Sequence, residues 1–436
     1  MKLDPAAQRR FAVEVLTQLR EAGFTAYWAG GCVRDELLGR TPKDYDVASN
    51  ARPEQVRELF GRRRTLAVGE AFGVIVVVGP KPAGTVEVTA FRRDATYSDG
   101  RRPDAVEYTD AEEDARRRDF TINALFFDPI ENQVIDFVDG QADLQRGVVR
   151  AVGHAAERFQ EDKLRMLRAV RMAARFGFTI DADTMAAVRA SAHDIVIVSP
   201  ERVAQELHGM LGRAGQATAA ELMLSTGLAE AVLPEVAELS NAAHPDGGTR
   251  WERTVEILKQ LELIGDHLFA TALAALLHEV GHEADGDEPA AAARAAEAAR
   301  AIGRRLRLSN DDREATMWLL QHRCALFDAA EKPWSQLQPV LAHRWGAELV
   351  RLHGAVIAAS SRPTQDVEFC RDKLELPREL LDPSPLVDGN DLRARGLAPG
   401  PEFARILQAL RAAQLDGQVV DKAAALRLVD DLRTRS

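Results

Sequence analysis

Over the first 150 residues the apolar positions change their period several times. Residues 5–22 place apolar side chains every three to four positions, the spacing of an amphipathic helix. "TAYWAGG" (25–31) reads as a short strand entering a glycine turn, and "CVRDELLG" (32–39) as a helix start. "YDVAS" (45–49) predicts a second short strand and "RPEQVRELFG" (52–61) a helix. "FGVIVVVG" (72–79) and "TVEVTAF" (85–91) are β-rich runs joined by "PKPAG", so they predict a hairpin-like pair. "DFTINALFFDP" (119–129) and "QVIDFVDG" (133–140) add strand and turn.

From about residue 155 the β signal disappears. Helical periodicity covers 157–176, 199–213, 216–231, 250–265, 269–281, 289–305, 310–327, 334–358, 400–414 and 420–434. Glycine and proline mark loops at 244–248, 382–386 and 396–401. The alanine-biased stretch "DEPAAAARAAEAARAIGRRL" remains amphipathic and is taken as helix. The prediction is an α+β protein. A head with a small mixed sheet occupies 1–150, an all-helical neck 151–215, a helical body 216–385 and a helical tail 386–436.

Composition changes this picture little. The chain has 436 residues, 46% hydrophobic and 28% charged, as expected of an ordinary folded protein of two to four domains. No apolar run reaches bilayer length, and the N-terminus lacks a signal-peptide pattern. The three cysteines, Cys32, Cys324 and Cys370, have no metal-ligand spacing, which suits a reducing cytoplasm. Net charge is −11, against electrostatic coating of nucleic acid. A local basic groove remains open, because arginines cluster at 61–65, 101–103, 116–119 and 158–175.

The informative stretch is "AGGCVRDELLGRTPKDYDVAS" (29–49). On a strand, Asp44 and Asp46 project to one face with Tyr45 between them. Two ionised carboxylates so close repel unless a cation intervenes, and Mg²⁺ is served by one or two carboxylates plus substrate phosphates. Glu87, between Val86 and Val88, is a third acid on a run that can neighbour the first. A bare D-x-D also suits the wet end of a strand, and Glu87 also suits an exposed sheet face. The upstream turn adds a second signal. Gly30 and Gly31 permit close backbone approach, and the helix after them offers free N–H groups to a phosphate. Arg34, expected in that helix's first turn, is mildly unfavourable there without an anion. A phosphate cradle beside a metal-binding acid pair points to nucleotidyl transfer.

"GGCVRDELLG…KDYD" resembles the head motif of the class II tRNA nucleotidyltransferase and bacterial poly(A) polymerase family, within the polymerase β superfamily. Two more blocks match in order. "RRDFTINAL" (117–125) is similar to the ribose-recognition motif, and "EDKLRMLRAVR" (161–171) to the nucleotide-selecting motif. The resemblance implies Mg²⁺ on Asp44 and Asp46 with Glu87 assisting, and a triphosphate held by Gly30, Gly31 and Arg34. It implies that Arg118 contacts the nucleotide and Asp119 the ribose. Asp162 and Arg165 then read the base edges of CTP and ATP, and Arg168 and Arg171 meet phosphates or brace that pair. Lys163 stands where family members often carry proline.

The implied activity is addition of CCA to tRNA 3′ ends. The charged segment "RRDATYSDGRRPDAVEYTDAEEDA" (92–115) is long, whereas CC-adding members have it shortened. "LAVGEAFGVIVVV" (66–78) lacks the basic signature of poly(A) polymerases. A-only addition and poly(A) addition stay open. No membrane and no obligatory protein partner are expected. "LAALLHEVGH" (273–282) resembles the helix of an HD phosphohydrolase, with Glu279 in place of the aspartate and Arg253 where a histidine is expected, so it reads as a scaffold without metal and His278 as a buried or capping residue. An HD-type phosphohydrolase and a silent RNA-binding protein are the readings from other classes. In the tail, the turns at Gly389, Gly396 and Gly400 suit phosphate contact or a structural cap.

Overall fold

The structure is a computed structural model that describes residues 3–69, 73–94, 106–212, 214–283, 287–360 and 362–434. The arginines at 101–103, part of the segment 92–115 and part of 66–78 lie outside the described residues.

The head begins with α1 (Pro5–Glu21), β1 (Ala26–Ala29), α2 (Gly31–Leu37), β2 (Asp46–Ser49) and α3 (Pro53–Phe60). Then follow β3 (Thr65–Gly69), β4 (Val74–Val78), β5 (Thr85–Ala90), β6 (Arg92–Asp94), β7 (Val106–Tyr108) and α4 (Ala111–Arg116). A 3₁₀ turn (Thr121–Asn123) precedes β8 (Phe126–Asp128), β9 (Gln133–Ile135), α5 (Gly140–Arg146) and β10 (Val148–Val149). One seven-stranded sheet has the order β3-β4-β5-β2-β1-β8-β9. All its neighbours are antiparallel except β2 and β5, which run parallel and pair Asp46 with Glu87. The sheet is therefore mixed, as the sequence predicts, and β4–β5 is the expected hairpin.

Alternation along β2 and β5 separates two faces. Trp28, Val47, Val86 and Val88 enter the main core with α1, and Tyr45 packs its ring 4.7 Å from Trp28. Asp46, Ala48, Glu87 and Thr89 take the other face. Small residues there, Ala29 and Ala48, join Phe91, Ala115, Ala124, Phe126 and Val152 in a second cluster.

"FTINAL" departs from its strand-like appearance. It forms the 3₁₀ turn, in which Phe120, Ile122 and Leu125 are all fully buried. Alternating apolar residues look alike in a strand and in a tight turn enclosed by core on several sides. Gly140 packs against this turn, with no room for a side chain: a Cβ would sit 2.2 Å from the Thr121 carbonyl oxygen.

The helices beyond are α6 (Ala155–Glu161), α7 (Leu164–Phe176), α8 (Ala182–Ser191), α9 (Pro200–Leu211), α10 (Gln216–Thr226), α11 (Leu228–Val232) and α12 (Pro234–Ala237). The predicted helix 157–176 is two helices. Asp162 breaks it with extended backbone (φ −148°, ψ 104°), and its carboxylate accepts the Leu164 N–H. The predicted helix 216–231 is likewise cut at Gly227, whose φ is +82°.

α13 (Arg250–Ile264), α14 (Phe269–Leu276), α15 (Glu288–Arg305) and α16 (Asn310–Gln321) continue the chain, followed by α17 (Trp334–Leu341), α18 (Gly346–Ala359), α19 (Gln365–Leu374) and α20 (Arg378–Leu381). The predicted helix 334–358 is split at 342–345. Gly346 lies so close to the Leu341 carbonyl that a Cβ would be 2.2 Å from it, which lets α18 start at once after α17. The tail is α21 (Gly389–Ala394), α22 (Pro401–Leu415) and α23 (Lys422–Thr434), with its own core around Leu392, Ile406, Leu410 and Val429.

By internal contacts the chain divides into two units: residues 1–206 with 218–232, and 207–217 with 233–436. Among the described residues no helix is long and apolar enough to cross a membrane.

Gly140→Ala is expected to force the 3₁₀ turn away from α5. Overpacking of this kind costs about 1–3 kcal/mol, and a thermal melt will show the midpoint lowered by roughly 3 °C or more.

Candidate active site

All twelve residues singled out in the sequence line one cavity of about 680 Å³ in the first unit. Seven arginines and five carboxylates surround it, so a chain with net negative charge presents a locally cationic, anion-ready hollow.

Gly30 caps α2 with φ +76°, a conformation that disfavours side chains. A Cβ there would lie 3.0 Å from Arg118 Nη1. The glycine turn is thus pressed against a guanidinium, while the Gly30 N–H donates to the Leu125 carbonyl.

Asp44 is exposed just before β2, Asp46 is half-buried as its first residue, and Glu87 is exposed beside Asp46 across the parallel ladder. Burial, then the neighbouring Asp44 and Glu87 charges, push the Asp46 carboxyl up to about 7; the Arg118 charge opposes this. Asp46 and Glu87 share a sheet face, and Asp44 lines the same cavity. Among the described residues no group of three or more His, Cys, Asp or Glu is arranged to hold a metal ion as it stands.

Arg34 lines the cavity, but its guanidinium is already engaged. It is the fourth residue of α2 and buried, and its guanidinium bonds Asp35 Oδ1 from Nε at 2.9 Å and Nη2 at 2.7 Å. It also donates to Asn123 Oδ1 and covers the Phe176 ring at 4.6 Å. The anion that the sequence calls for at Arg34 is supplied in part by its own neighbour.

Arg118 depends on a residue the sequence reading passed over. Asp114, fully buried in α4, accepts Arg118 Nη2 at 2.9 Å and Arg117 Nη2 at 2.7 Å. Burial raises its pKa, yet the two arginines outweigh burial and hold it below the usual carboxylate range. The spacing i, i+3, i+4 in "DARRR" was the available signal. Asn123, also missed, donates to Asp119 Oδ1 at 3.1 Å while accepting from Arg34. Asp119 further accepts the Phe120 N–H at 2.8 Å, and its Oδ2 lies 2.7 Å from Arg168 Nη2. Burial of Asp119 is outweighed by Arg168 and Arg165, so it too is held below the ordinary range.

Asp162 and Arg165 both face the cavity, but not as a bonded pair. Asp162 receives a two-pronged contact from Arg202, Nη1 to Oδ1 at 3.1 Å and Nη2 to Oδ2 at 2.7 Å. Arg165 bonds Glu161 at 2.6 Å and the Arg158 carbonyl at 3.1 Å. Arg171 bonds Glu206 at 2.6 Å. The helix break at Asp162 is the reason: with extended backbone its carboxylate meets Arg202 of α9 and the Leu164 N–H at the start of α7. Arg202 and Glu206, one turn apart on α9, had no signal beyond ordinary helical charge.

Two other expectations are revised or sharpened. In the tail, Gly396 has φ +81°, but Gly400 is extended and Gly389 begins α21, where Asp388 accepts the Asn390 and Asp391 N–H groups. The backbone donors expected for phosphate at Gly389 are thereby used. In the second unit, Glu279 bonds Arg250 at 2.8 Å and His278 at 3.1 Å, and His278 is buried, its pKa lowered chiefly by desolvation.

Residues 26–150 match the family described as Poly A polymerase head domain, and residues 177–239 the one described as probable RNA and SrmB-binding site of polymerase A. A CCA-adding enzyme of Leuconostoc mesenteroides is 46% identical over 202 residues, 46% of this chain and 49% of that protein. One of Geobacillus thermodenitrificans is 40% identical over 241 residues, 55% of this chain and 58% of that protein. The chain thus spans about half the length of the curated relatives it matches. The crystal structure of the Bacillus stearothermophilus CCA-adding enzyme in complex with CTP is similar with a TM-score of 0.71 at 28% identity, covering 100% of this chain and 99% of that one. The Thermotoga maritima CCA-adding enzyme complexed with tRNA shares the fold, with a TM-score of 0.64 at 20% identity over 97% of this chain and 94% of that one.

Two outcomes are expected from the site itself. A free aspartate titrates near 4. The folded chain, with Asp46 at about 7, holds that proton more tightly than the unfolded chain does. The stabilising contribution is complete below pH 4 and is lost as pH rises through 7. In metal-free buffer Asp46→Asn will therefore raise the melting temperature at pH 8, by roughly 5 °C, and barely change it at pH 4. Asp114→Ala leaves Arg117 and Arg118 without their shared buried counter-charge and is expected to cost about 3–5 kcal/mol, read by denaturant titration.

Proposed function

Residues 26–150 belong to the poly A polymerase head family, and from that premise we propose that the chain is a template-independent nucleotidyltransferase that adds CCA to tRNA 3′ ends from CTP and ATP. The observation that carries this reading is the convergence of three acids, a glycine turn and the α7 arginines on one cavity of nucleotide size. The curated relatives named above support it, as does the CTP-bound structural neighbour.

In the reaction a 3′-hydroxyl oxygen of the RNA attacks the α-phosphorus of the incoming nucleotide. The new P–O bond replaces the bond to pyrophosphate, which leaves. Asp44, Asp46 and Glu87 offer an all-oxygen donor set that fits Mg²⁺, and the like-charge crowding at Asp46 is relieved by a cation. Asp44 and Glu87 are exposed, so their carboxylates are accessible to an ion entering the cavity. When bound, Mg²⁺ would lower the pKa of the attacking hydroxyl and offset charge on the leaving pyrophosphate.

The chain's own groups do the rest. Gly30 and Gly31 let the triphosphate approach the start of α2, and Arg118, locked by Asp114, presents a fixed cation beside it. Asp119 accepts from the ribose. Arg34 acts mainly by fixing Asn123, and through it Asp119. Asp162 and Arg165 present an acceptor and a planar donor to the base, each held by its own partner, so the recognition edge is pre-shaped. Arg168 and Arg171 keep that edge in place through Asp119 and Glu206. The stretch 177–239 is the candidate RNA contact. The cytoplasm is the compartment we assign, from substrate and cysteine usage.

Incubation with tRNAs ending before CCA, before the final A, or complete, with CTP and ATP supplied separately, tests the reading. CTP is expected to add two nucleotides to the first tRNA, ATP one to the second, and neither to extend the third. Extension of the second tRNA alone would reassign the chain to A-addition, and runs of A on the third to poly(A) synthesis. Asp44→Ala should lower incorporation at least about 10³-fold with the fold intact by circular dichroism. Arg165→Ala should relax CTP/ATP choice by about 10-fold or more; unchanged choice would refute its role as base reader.

A further inference from the structure

The second unit contains a cavity of about 380 Å³ that the nucleotidyl-transfer reading does not use. We propose that it is an anion site for a small phosphate monoester, with Arg253 and Arg362 as the groups that grip the phosphate. This proposal concerns binding alone and is independent of the function assigned to the head.

Most charges around this cavity already have partners. Glu279 is taken by Arg250 at 2.8 Å and by His278 at 3.1 Å. Glu288 is taken by His282 and Arg323, each at 3.2 Å. Glu283 is met by Arg294 at 3.4 Å. Every glutamate in the lining therefore has its cation. Arg253 and Arg362 do not have the converse: among the described residues neither has a carboxylate within ion-pair distance. Asp246, the remaining acid, is exposed at the rim and contributes only at longer range.

Arg253 lies on α13 and donates Nη2–H to the Val356 carbonyl, near the C-terminal end of α18, at 3.1 Å. That contact uses one of five guanidinium N–H groups and offsets part of one charge. Arg362 follows α18 directly and lies over the Phe327 ring at 5.8 Å. Desolvation outweighs the longer-range pull of Glu279 and Asp246, and the nearby Arg362 charge adds a smaller repulsion, so Arg253 is a less easily held cation than usual. Two adjacent guanidinium groups with free donors, in a concave and partly desolvated setting, match a phosphate dianion in charge and in planar hydrogen-bond geometry. A carboxylate would satisfy one fork but not both charges. Phe327 and Val356 add an apolar wall for the organic part of the ligand, and the volume admits a mononucleotide.

Phenylglyoxal labelling of the full chain, read residue by residue by mass spectrometry, tests the proposal. Inorganic phosphate or AMP at about 10 mM is expected to slow labelling of Arg253 and Arg362 by about 5-fold or more, with the exposed Arg304 as the unprotected control. In equilibrium dialysis the Arg253→Gln/Arg362→Gln double variant should bind one phosphate fewer than the parent while incorporation at the head is unchanged. Equal labelling rates with and without both ligands would overturn the assignment. Protection by RNA but by neither phosphate nor AMP would also overturn it, since it would make the cavity a backbone contact. Should the variant fold poorly, the labelling of the parent chain decides alone.

Discussion

The parallel pairing of β2 with β5 is the constraint on which the head depends. It brings Asp46 beside Glu87, two residues after Asp44, and so concentrates negative charge where a sheet would ordinarily tolerate none. The opposite face of the same strands makes this bearable. Tyr45, Val47, Val86 and Val88 are buried there, and their hydrophobic burial holds the strands in register against the repulsion. An acid with its proton affinity raised to about 7 is an unstable arrangement kept in place by the core beneath it. Such concentrated mismatch between local preference and global fold is expected at a functional site.

The cations around the acids are fixed by a second layer of carboxylates. Asp114 holds Arg117 and Arg118, Asp119 faces Arg168, Glu161 holds Arg165 and Glu206 holds Arg171. Long arginine side chains lose considerable rotamer freedom when they bind a ligand. Here most of that ordering is done in advance by the protein, which favours charge complementarity at no further reorganisation. Asn123 ties the arrangement together, since one short amide meets both Arg34 and Asp119.

The second unit shows the same residue types put to another use. Its histidines and glutamates line one cavity, and arginine side chains lie among them. Arg250 bonds Glu279 and Arg323 bonds Glu288, so these acids are neutralised by guanidinium groups. The surplus positive charge at Arg253 and Arg362 then defines a different chemistry from that suggested by the histidine pattern alone.

Sequence by itself determined the elements whose signal is local. The α1 periodicity, the β4–β5 hairpin, the glycine turn at 30–31 and the ordered motif blocks each depend on neighbours within a few residues, so they were legible, together with twelve of the residues that line the cavity. Tertiary structure alone decided which charge meets which. That Arg202 takes Asp162, that Glu206 takes Arg171, and that "FTINAL" coils instead of extending are results of contacts between segments up to 40 residues apart or of enclosure by a core. The physical reason is that hydrophobic period reports the face a residue turns to its own element, whereas an ion pair depends on where two elements come to rest.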